Sequence, residues 1–191
     1  MTREQWLLEM VERLRTLFDQ AGYPLPPHIR VSCGWPTQRA LAPTGKNRSI
    51  GQCFSTACSA DGAHEVFVSP ALDDKQRVAE VLVHELCHAV DNCQHGHGPE
   101  FRKIAVAVGL EGKMTATVAG SELTERLNAL MSRMPGYPHR TLDVRLNEKK
   151  QGTRLLKIVC PACGYTARTT RQWLSRGLPT CPCGTLLAEQ S

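Results

Sequence analysis

The sequence of 191 residues has no run of eighteen or more apolar residues, so no segment is predicted to span a membrane. Residues 1–18 lack the uninterrupted apolar stretch of a secretory signal, because Arg and Glu interrupt it. No internal repeat and no low-complexity tract is present. The hydrophobic content of 41% is too high, and the net charge of +5 too low, for a disordered chain. We therefore expect a cytoplasmic protein with one domain and a small additional module.

Charge is distributed unevenly along the chain. Residues 1–139 have a net charge of −1, whereas residues 140–191 have a net charge of +6. A short basic module beside a nearly neutral domain is typical of a protein in which one part binds a polyanion and the other carries the activity.

The pattern of apolar residues predicts an α+β fold. Apolar residues at three- and four-residue steps predict helices over 3–20, 74–92, 99–108 and about 121–134. Between the first two helices, short strands are predicted over 28–33, 50–54 and 64–69, and Asp61-Gly62 is a hairpin signal. The simplest arrangement is a small antiparallel sheet packed on the helices.

The motif His84-Glu85-Leu86-Cys87-His88 lies inside the second predicted helix. Residues at i and i+4 are about 40° apart on a helix, so both imidazoles can reach one metal ion. Glu85 is rotated away from them and can approach a metal-bound water. Apolar neighbours on both sides indicate a buried helix, where polar groups need partners. The motif therefore predicts a zinc site.

A catalytic zinc site normally has three protein ligands and one open position. Downstream candidates for the third ligand are His95, His97, Glu100 and Glu111. Spacing alone ranks His97 first, His95 second and Glu111 third, the last as a residue on a helix that Gly109 and Gly112 make doubtful.

The segment HELCHAVDNCQHGHGPEFRKIA resembles the active-site segment of the SprT-like (Spartan-type) zinc metallopeptidases, in which H-E-x-x-H is followed by H-G-x-x-F. The segment IGQCFSTACSADGAHEVFVSPAL resembles the strand pair that precedes it in that family, and the resemblance covers roughly residues 5–110. It implies a minimal zincin-like domain in which His97 is the third ligand and His95 is an additional histidine. It also implies zinc-dependent peptide hydrolysis with Glu85 as general base. Asp91 or Asn92 is a candidate to orient one of the imidazoles.

A second group of possible metal ligands lies near the C-terminus. Cys160-Pro-Ala-Cys163-Gly is followed seventeen residues later by Cys181-Pro-Cys183-Gly. Four thiolates in two clusters predict a structural zinc ribbon, although one residue rather than two separates the second pair. We expect the other five cysteines to be mostly inert thiols; they are Cys33, Cys53, Cys58, Cys87 and Cys93.

Basic residues alternate with aromatic residues in and before the ribbon, as in proteins that bind a nucleic-acid backbone and stack its bases. The candidate DNA contacts are Lys149, Lys150, Arg154, Lys157, Arg168, Arg171, Trp173 and Arg176. The alternative is a solvated basic face with Trp173 packed in the ribbon core. The resemblance favours DNA binding, because the family includes proteases that act on DNA-bound proteins.

The sequence thus predicts three parts: a SprT-like metallopeptidase domain (1–112), a helix and basic linker (113–152) and a four-cysteine zinc ribbon (153–191). The predicted function is a zinc-dependent endopeptidase with one catalytic and one structural Zn²⁺, acting on protein or peptide substrates that include DNA-associated proteins. One alternative is a non-catalytic zinc-containing adaptor that binds nucleic acid or the transcription machinery. Another is zinc-dependent hydrolysis of a non-peptide bond.

Overall fold

The computed structural model describes residues 1–37, 49–143 and 155–190. The chain divides into two compact units, Met1–Leu146 and Asn147–Ser191. Within the described residues, no helix is long and apolar enough to cross a membrane. The predicted α+β class is confirmed, since short sheets combine with helices.

The first unit contains four longer helices, a three-stranded sheet and a hairpin. Its elements are α1 (Arg3–Gln20), β1 (Ile29–Cys33), β2 (Gly51–Phe54), β3 (His64–Val68), α2 (Lys75–Val90), α3 (Pro99–Ala107), β4 (Leu110–Lys113), β5 (Ala116–Ala119) and α4 (Ser121–Met131). The four predicted helices are confirmed, each starting within one residue and ending within three residues of its predicted position.

Helix α1 begins at a capping box, in which the Thr2 hydroxyl accepts from the Gln5 N–H and the Gln5 side chain accepts from the Thr2 N–H. Helix α2 begins at Asp74, whose carboxylate accepts from the Arg77 N–H at 2.8 Å. The apolar faces of α1 and α2 lie in one core together with residues of β3, α3 and α4. The helix that carries the histidine motif is therefore buried, as the motif requires.

The three-stranded sheet has the order β1-β3-β2. Strands β2 and β3 are antiparallel, and the loop that joins them contains the predicted turn, where Gly62 has a φ of +71°. Strand β1 runs parallel to β3, so the sheet is mixed and the predicted antiparallel pairing is wrong for this strand. The apolar pattern specifies a strand but not its direction, and about 30 residues between β1 and β3 suffice for the crossover of a parallel pair.

The hairpin of β4 and β5 was not predicted from the sequence. Its register places Glu111 opposite Val118, with the Glu111 side chain exposed. Gly109 and Gly112 have φ values of +94° and +88°, so the backbone turns at the end of α3 and then bends within β4. The alternative of Glu111 as a helical metal ligand is therefore wrong.

Residues 135–143 follow α4 and are held to the core of the first unit. The Trp6 Nε1–H donates to the Pro135 carbonyl at 2.9 Å, and the Tyr137 ring packs on Trp6 at a centroid distance of 5.0 Å. Buried residues of α4 lie in the same core. The described part of the predicted segment 113–152 thus packs with the domain before it, and the rest of that segment lies outside the described residues.

The second unit is built on a three-stranded antiparallel sheet with the order β7-β6-β8. Its elements are β6 (Leu156–Val159), β7 (Thr166–Thr169), the single-turn helix α5 (Arg171–Leu174) and β8 (Ala188–Glu189). Among its described residues, the buried hydrophobic cluster has four members, which are Ile158, Cys160, Cys181 and Leu187. Two of the four are candidate metal ligands, so half of this cluster consists of ordinary apolar side chains.

Candidate metal centre

Three histidine side chains converge in the first unit. His84 and His88 lie one turn apart on α2, and His97 lies just before α3. The Nε2 atom of His97 is 3.1 Å from that of His84 and 3.3 Å from that of His88. These three side chains form a group that could hold a metal ion. The structure thus brings together the three histidines that the sequence singled out.

The loop between α2 and α3 carries His97 to this position. It starts with two residues in the left-handed region, Asn92 (φ +49°) and Cys93 (φ +57°). The Asn92 side-chain oxygen accepts from the Thr56 N–H at 3.1 Å and lies 3.1 Å from the buried His64 Nε2. Asn92 therefore anchors the loop to the sheet side of the unit, and the suggestion that it orients a ligand imidazole is wrong.

Asp91 binds His95 within the same loop. Its carboxylate accepts from the His95 N–H at 2.8 Å and lies 2.6 Å from His95 Nδ1. This contact accounts for His95, which lies outside the histidine group. Among the described residues, the Asp91 carboxylate forms no hydrogen bond with the imidazole of His84, His88 or His97, and it closes the loop instead of orienting a ligand.

The Phe101 ring supports all three imidazoles from below. It is fully buried on α3, stacks on His88 at a centroid distance of 4.3 Å, and lies 5.0 and 5.1 Å from the rings of His84 and His97. An apolar floor of this kind excludes water from one side of the site and limits the rotamers of the three histidines.

Thr117 on β5 is a site residue that sequence reasoning missed. Its Oγ1 lies 2.8 Å from His84 Nδ1, and the residue is 5% exposed. The Arg77 guanidinium donates to the Thr117 backbone carbonyl at 3.2 Å, which holds the strand against α2. With a metal ion on Nε2 of His84, the Nδ1 of His84 would carry the proton and Thr117 Oγ1 would accept it. The sequence carried no signal for this contact, because the hairpin itself was not predicted.

Burial keeps the imidazoles neutral. It lowers the pKa of His84 to about 3 and that of His88 to about 4, with a further contribution from the neighbouring imidazoles. Burial also lowers the pKa of His97. Neutral imidazole is the form that ligates a metal ion, so the group is ready to bind at neutral pH.

The spacing of the nitrogen atoms fits zinc. A tetrahedral ion with Zn–N bonds of about 2.0–2.1 Å holds its nitrogen ligands about 3.3–3.4 Å apart. A hydrogen bond between two neutral Nε2 atoms needs one donor and one acceptor, so the His97 Nε2 cannot satisfy both neighbours through its own proton. A cation at the centre of the group satisfies all three nitrogens.

Glu85 lies beside this group and is 6% exposed. Burial raises the pKa of the Glu85 carboxyl to about 8, against the effect of the Cys53 backbone N–H, which faces it from β2. A carboxyl with a pKa near neutrality can both accept and release a proton under physiological conditions.

The histidine group and Glu85 line one open cleft of about 990 Å³. Residues 49–53, which include part of β2, form one wall, and the tip of the β4–β5 hairpin forms part of the opposite wall. The site is therefore buried behind the imidazoles and open in front of them, as a centre that admits a substrate must be.

Four cysteines converge in the second unit. The Sγ atoms of Cys160 and Cys183 are 3.5 Å apart, as are those of Cys163 and Cys181, and the four form a group that could hold a metal ion. Tetrahedral zinc with Zn–S bonds of about 2.3 Å holds its sulfur ligands about 3.8 Å apart, so this group also fits zinc.

The shortened second cysteine pair makes the same kind of turn as the first. The carbonyl of Cys160 accepts from the Gly164 N–H four residues on, whereas that of Cys181 accepts from the Gly184 N–H three residues on. Both glycines are left-handed, with φ values of +75° and +88°. The missing residue therefore shortens the turn by one position and leaves the direction of the thiols intact.

Among three of the described basic residues of the second unit, Arg171 is paired with an acidic residue, whereas Lys157 and Arg168 are not. Arg171 forms a bidentate ion pair with Glu189 at 2.6 and 2.7 Å. Lys157 and Arg168 lie directly opposite each other on β6 and β7, both exposed and without an acidic partner among the described residues. The candidates Lys149, Lys150 and Arg154 lie outside the described residues.

Trp173 does not belong to the buried cluster of this unit. It is 57% exposed, and the Arg176 guanidinium carbon lies 5.2 Å from its ring centroid. The alternative of Trp173 as a ribbon core residue is therefore wrong.

In comparison with protein-family models, residues 34–120 match the SprT-like family. The predicted resemblance is thereby confirmed over the segment that contains β2, β3, the histidine group and the β4–β5 hairpin. Comparisons with curated proteins and with solved structures find no significant match.

Proposed function

We propose that this chain, whose residues 34–120 match the SprT-like family, is a zinc-dependent endopeptidase with Glu85 as its general base. The observation that carries the proposal is the convergence of three neutral imidazoles beside a buried carboxyl at the bottom of an open cleft. His84, His88 and His97 would hold the ion, leaving one coordination position for the reaction.

The chain's own residues supply proton transfer and orientation. Zinc bound by the three imidazoles would supply a Lewis acid that polarises a carbonyl and lowers the pKa of water. Glu85 accepts the proton of the attacking water and then delivers it to the amine that leaves when the peptide bond breaks. The raised pKa of Glu85 suits both halves of this transfer.

A peptide substrate is favoured over other hydrolysable molecules by the wall of the cleft. Strand β2 pairs with β3 on one side and, among the described residues, with no strand on the other. The Cys53 N–H faces Glu85 and the Cys53 carbonyl accepts from the Cys93 thiol, so the backbone groups beside Gly51 are the ones that remain for an extended peptide, which can bind by adding a strand to the sheet.

The proposal is tested by casein cleavage with the wild type and with Glu85→Gln, each with and without a zinc chelator. We expect chelator-sensitive cleavage by the wild type and a loss of about 10³-fold or more in Glu85→Gln, with zinc content unchanged. Glu111→Gln, which changes an exposed carboxylate, is the matched control and should cleave normally. A wild type that shows no chelator-sensitive cleavage, with or without single-stranded DNA, would favour the adaptor alternative.

We also propose that the second unit binds a structural Zn²⁺ through its four cysteines and contacts DNA through the exposed face that carries Lys157 and Arg168. Like charges directly opposite each other destabilise a sheet, so this cationic pair needs a reason other than stability. A phosphate backbone supplies the missing negative charge, and the exposed Trp173 offers a ring on which a base can stack. Binding there would direct the endopeptidase to DNA-associated proteins.

A further inference from the structure

We propose that Gly51 is a positioning residue for the Glu85 carboxyl: the absence of a side chain at the start of β2 creates the space in which that carboxyl lies. This inference rests on the proposed role of Glu85. It adds a residue that no motif of the chain identifies, and it gives β2 a function beyond pairing with β3.

The space is measured by the contacts that a Cβ atom at position 51 would make. Such an atom would overlap the Glu85 carboxyl oxygen Oε1 and would lie 2.8 Å from Glu85 Cγ and 2.6 Å from Val81 Cγ1. Carbon atoms in van der Waals contact are about 3.5–4.0 Å apart. An alanine at this position therefore requires Glu85, the strand or α2 to move.

Conformational freedom does not explain the glycine. Eight glycines of the described residues have a left-handed φ, and Gly51 is not among them. Its backbone is that of an ordinary strand residue, which alanine adopts without strain. The requirement at position 51 is for space alone.

Strand β2 also supplies a donor to the same carboxyl two residues later, where the Cys53 backbone N–H faces Glu85. Strand β2 therefore offers a recess at position 51 and a backbone hydrogen-bond donor at position 53 to the same carboxyl. Together they define where the carboxyl lies relative to the imidazoles. A misplacement of about 1 Å at a reacting group costs on the order of 100-fold in rate.

The test separates Glu85 from the helix contact by using Val81→Ala as the reference protein. Removing the Val81 methyl groups leaves Glu85 as the neighbour that an added Cβ at position 51 would meet. We compare Val81→Ala with Val81→Ala/Gly51→Ala, in which one methyl group is added at position 51 after two have been removed at position 81. Gly34→Ala is the control, because its Cβ would meet the Phe67 ring at an ordinary 3.5 Å.

We expect kcat for casein peptides to fall about 100-fold from Val81→Ala to the double variant, with KM, zinc content and the melting temperature nearly unchanged. The amide proton of Cys53 should move upfield in the NMR spectrum as the carboxyl leaves it. Gly34→Ala should change neither measurement. The inference is overturned if the double variant keeps the kcat of its reference, or if its loss of activity is accompanied by loss of zinc or of folded protein.

The NMR measurement keeps this inference separate from the proposed function. If the wild type cleaves no peptide, the endopeptidase proposal fails, and the Cys53 amide still reports whether the carboxyl lies in the space beside Gly51. An unchanged Cys53 amide in the double variant rejects the inference whatever the activity.

Discussion

The two candidate metal sites of this chain differ in the size of the hydrophobic core that surrounds them. Two of the three histidines lie on a helix whose apolar face is part of a core with 29 buried residues in the described part of the chain. The cysteine group lies in a unit whose described residues give a buried cluster of four members, two of them candidate ligands. The first site is therefore positioned by a core that exists without it, whereas the second supplies half of the buried cluster of its own unit.

This difference supports a catalytic role for the ion proposed at the histidine group and a structural role for the ion proposed at the cysteine group. A preformed group of neutral imidazoles can leave one coordination position open, because the fold does not depend on filling it. A unit as small as the second cannot bury enough apolar surface to fold alone, so the zinc proposed for it would contribute folding free energy. Four thiolates use all four positions, which suits a structural role.

The largest effect is expected when the cysteine site of the second unit is removed. Cys160→Ser should unfold residues 155–190, because a structural zinc contributes on the order of 10 kcal/mol to a domain of this kind. The amide resonances of those residues should collapse to random-coil positions, and those of the first unit should stay in place. Cys58→Ser, which changes an exposed cysteine of the first unit, is the control. A ribbon that remains folded without zinc would remove the distinction drawn above.

The next effect concerns the stability of the metal-free protein at the histidine site. In the metal-free protein the Glu85 pKa is about 8 when folded and near 4.5 when unfolded, so the folded state binds an extra proton between these values. Stability should therefore fall as pH rises from 4.5 to 8. Glu85→Gln does not titrate, so its advantage in free energy of unfolding should grow over this window to a few kcal/mol.

Thermal unfolding of the first unit, followed in the whole protein in the presence of a zinc chelator at pH 5 and pH 8, measures this effect for the wild type and Glu85→Gln. The histidine contributions are common to both proteins and cancel in the comparison. Glu111→Gln, at an exposed position, should show no such pH-dependent gain. A gain for Glu85→Gln that is equal at both pH values would contradict the assignment of a buried, proton-binding carboxyl.

A smaller effect sharpens the account of how the first site is positioned. Thr117→Val removes the oxygen that lies 2.8 Å from His84 Nδ1 and keeps the shape of the side chain. We expect zinc affinity at the histidine site to fall about 10–100-fold, as for other residues that orient a ligand imidazole. Chelator competition measures the affinity, Thr117→Ser is the matched control, and an unchanged affinity in Thr117→Val would show that Phe101 and the loop suffice.

The smallest effect concerns the exposed face of the ribbon. Lys157→Ala/Arg168→Ala should weaken binding of a single-stranded oligonucleotide on the order of tenfold and reduce the salt dependence by about 1.4 in slope. Arg171→Ala is the control, since its charge is already paired with Glu189. Fluorescence anisotropy at several salt concentrations distinguishes the two. Equal losses in both variants would indicate a general charge effect and not a defined face.

The sequence predicted the residues that meet through short-range patterns. The spacing of His84 and His88 follows from helix geometry, and each cysteine pair follows from its own turn. His97 needed the family resemblance, because spacing alone left His95 and Glu111 as alternatives. The structure supplies the reason, since Asp91 binds His95 and directs the loop so that His97 faces α2.

The sequence could not predict contacts made by elements that have no strong local signal. The β4–β5 hairpin has only four residues in each strand, and its contribution to the site, Thr117, was therefore missed. The direction of β1 depends on a long connection and not on the strand itself. Gly51 reads as an unremarkable strand glycine until the structure brings Glu85 against it.

Zinc content measured together with casein cleavage in His97→Ala tests the central claim most directly. We predict two zinc ions per wild-type chain and one per His97→Ala chain, with cleavage lost and the ribbon still folded. Two zinc ions retained in His97→Ala, or cleavage that persists with one, would contradict the assignment of the three-histidine group as the catalytic centre.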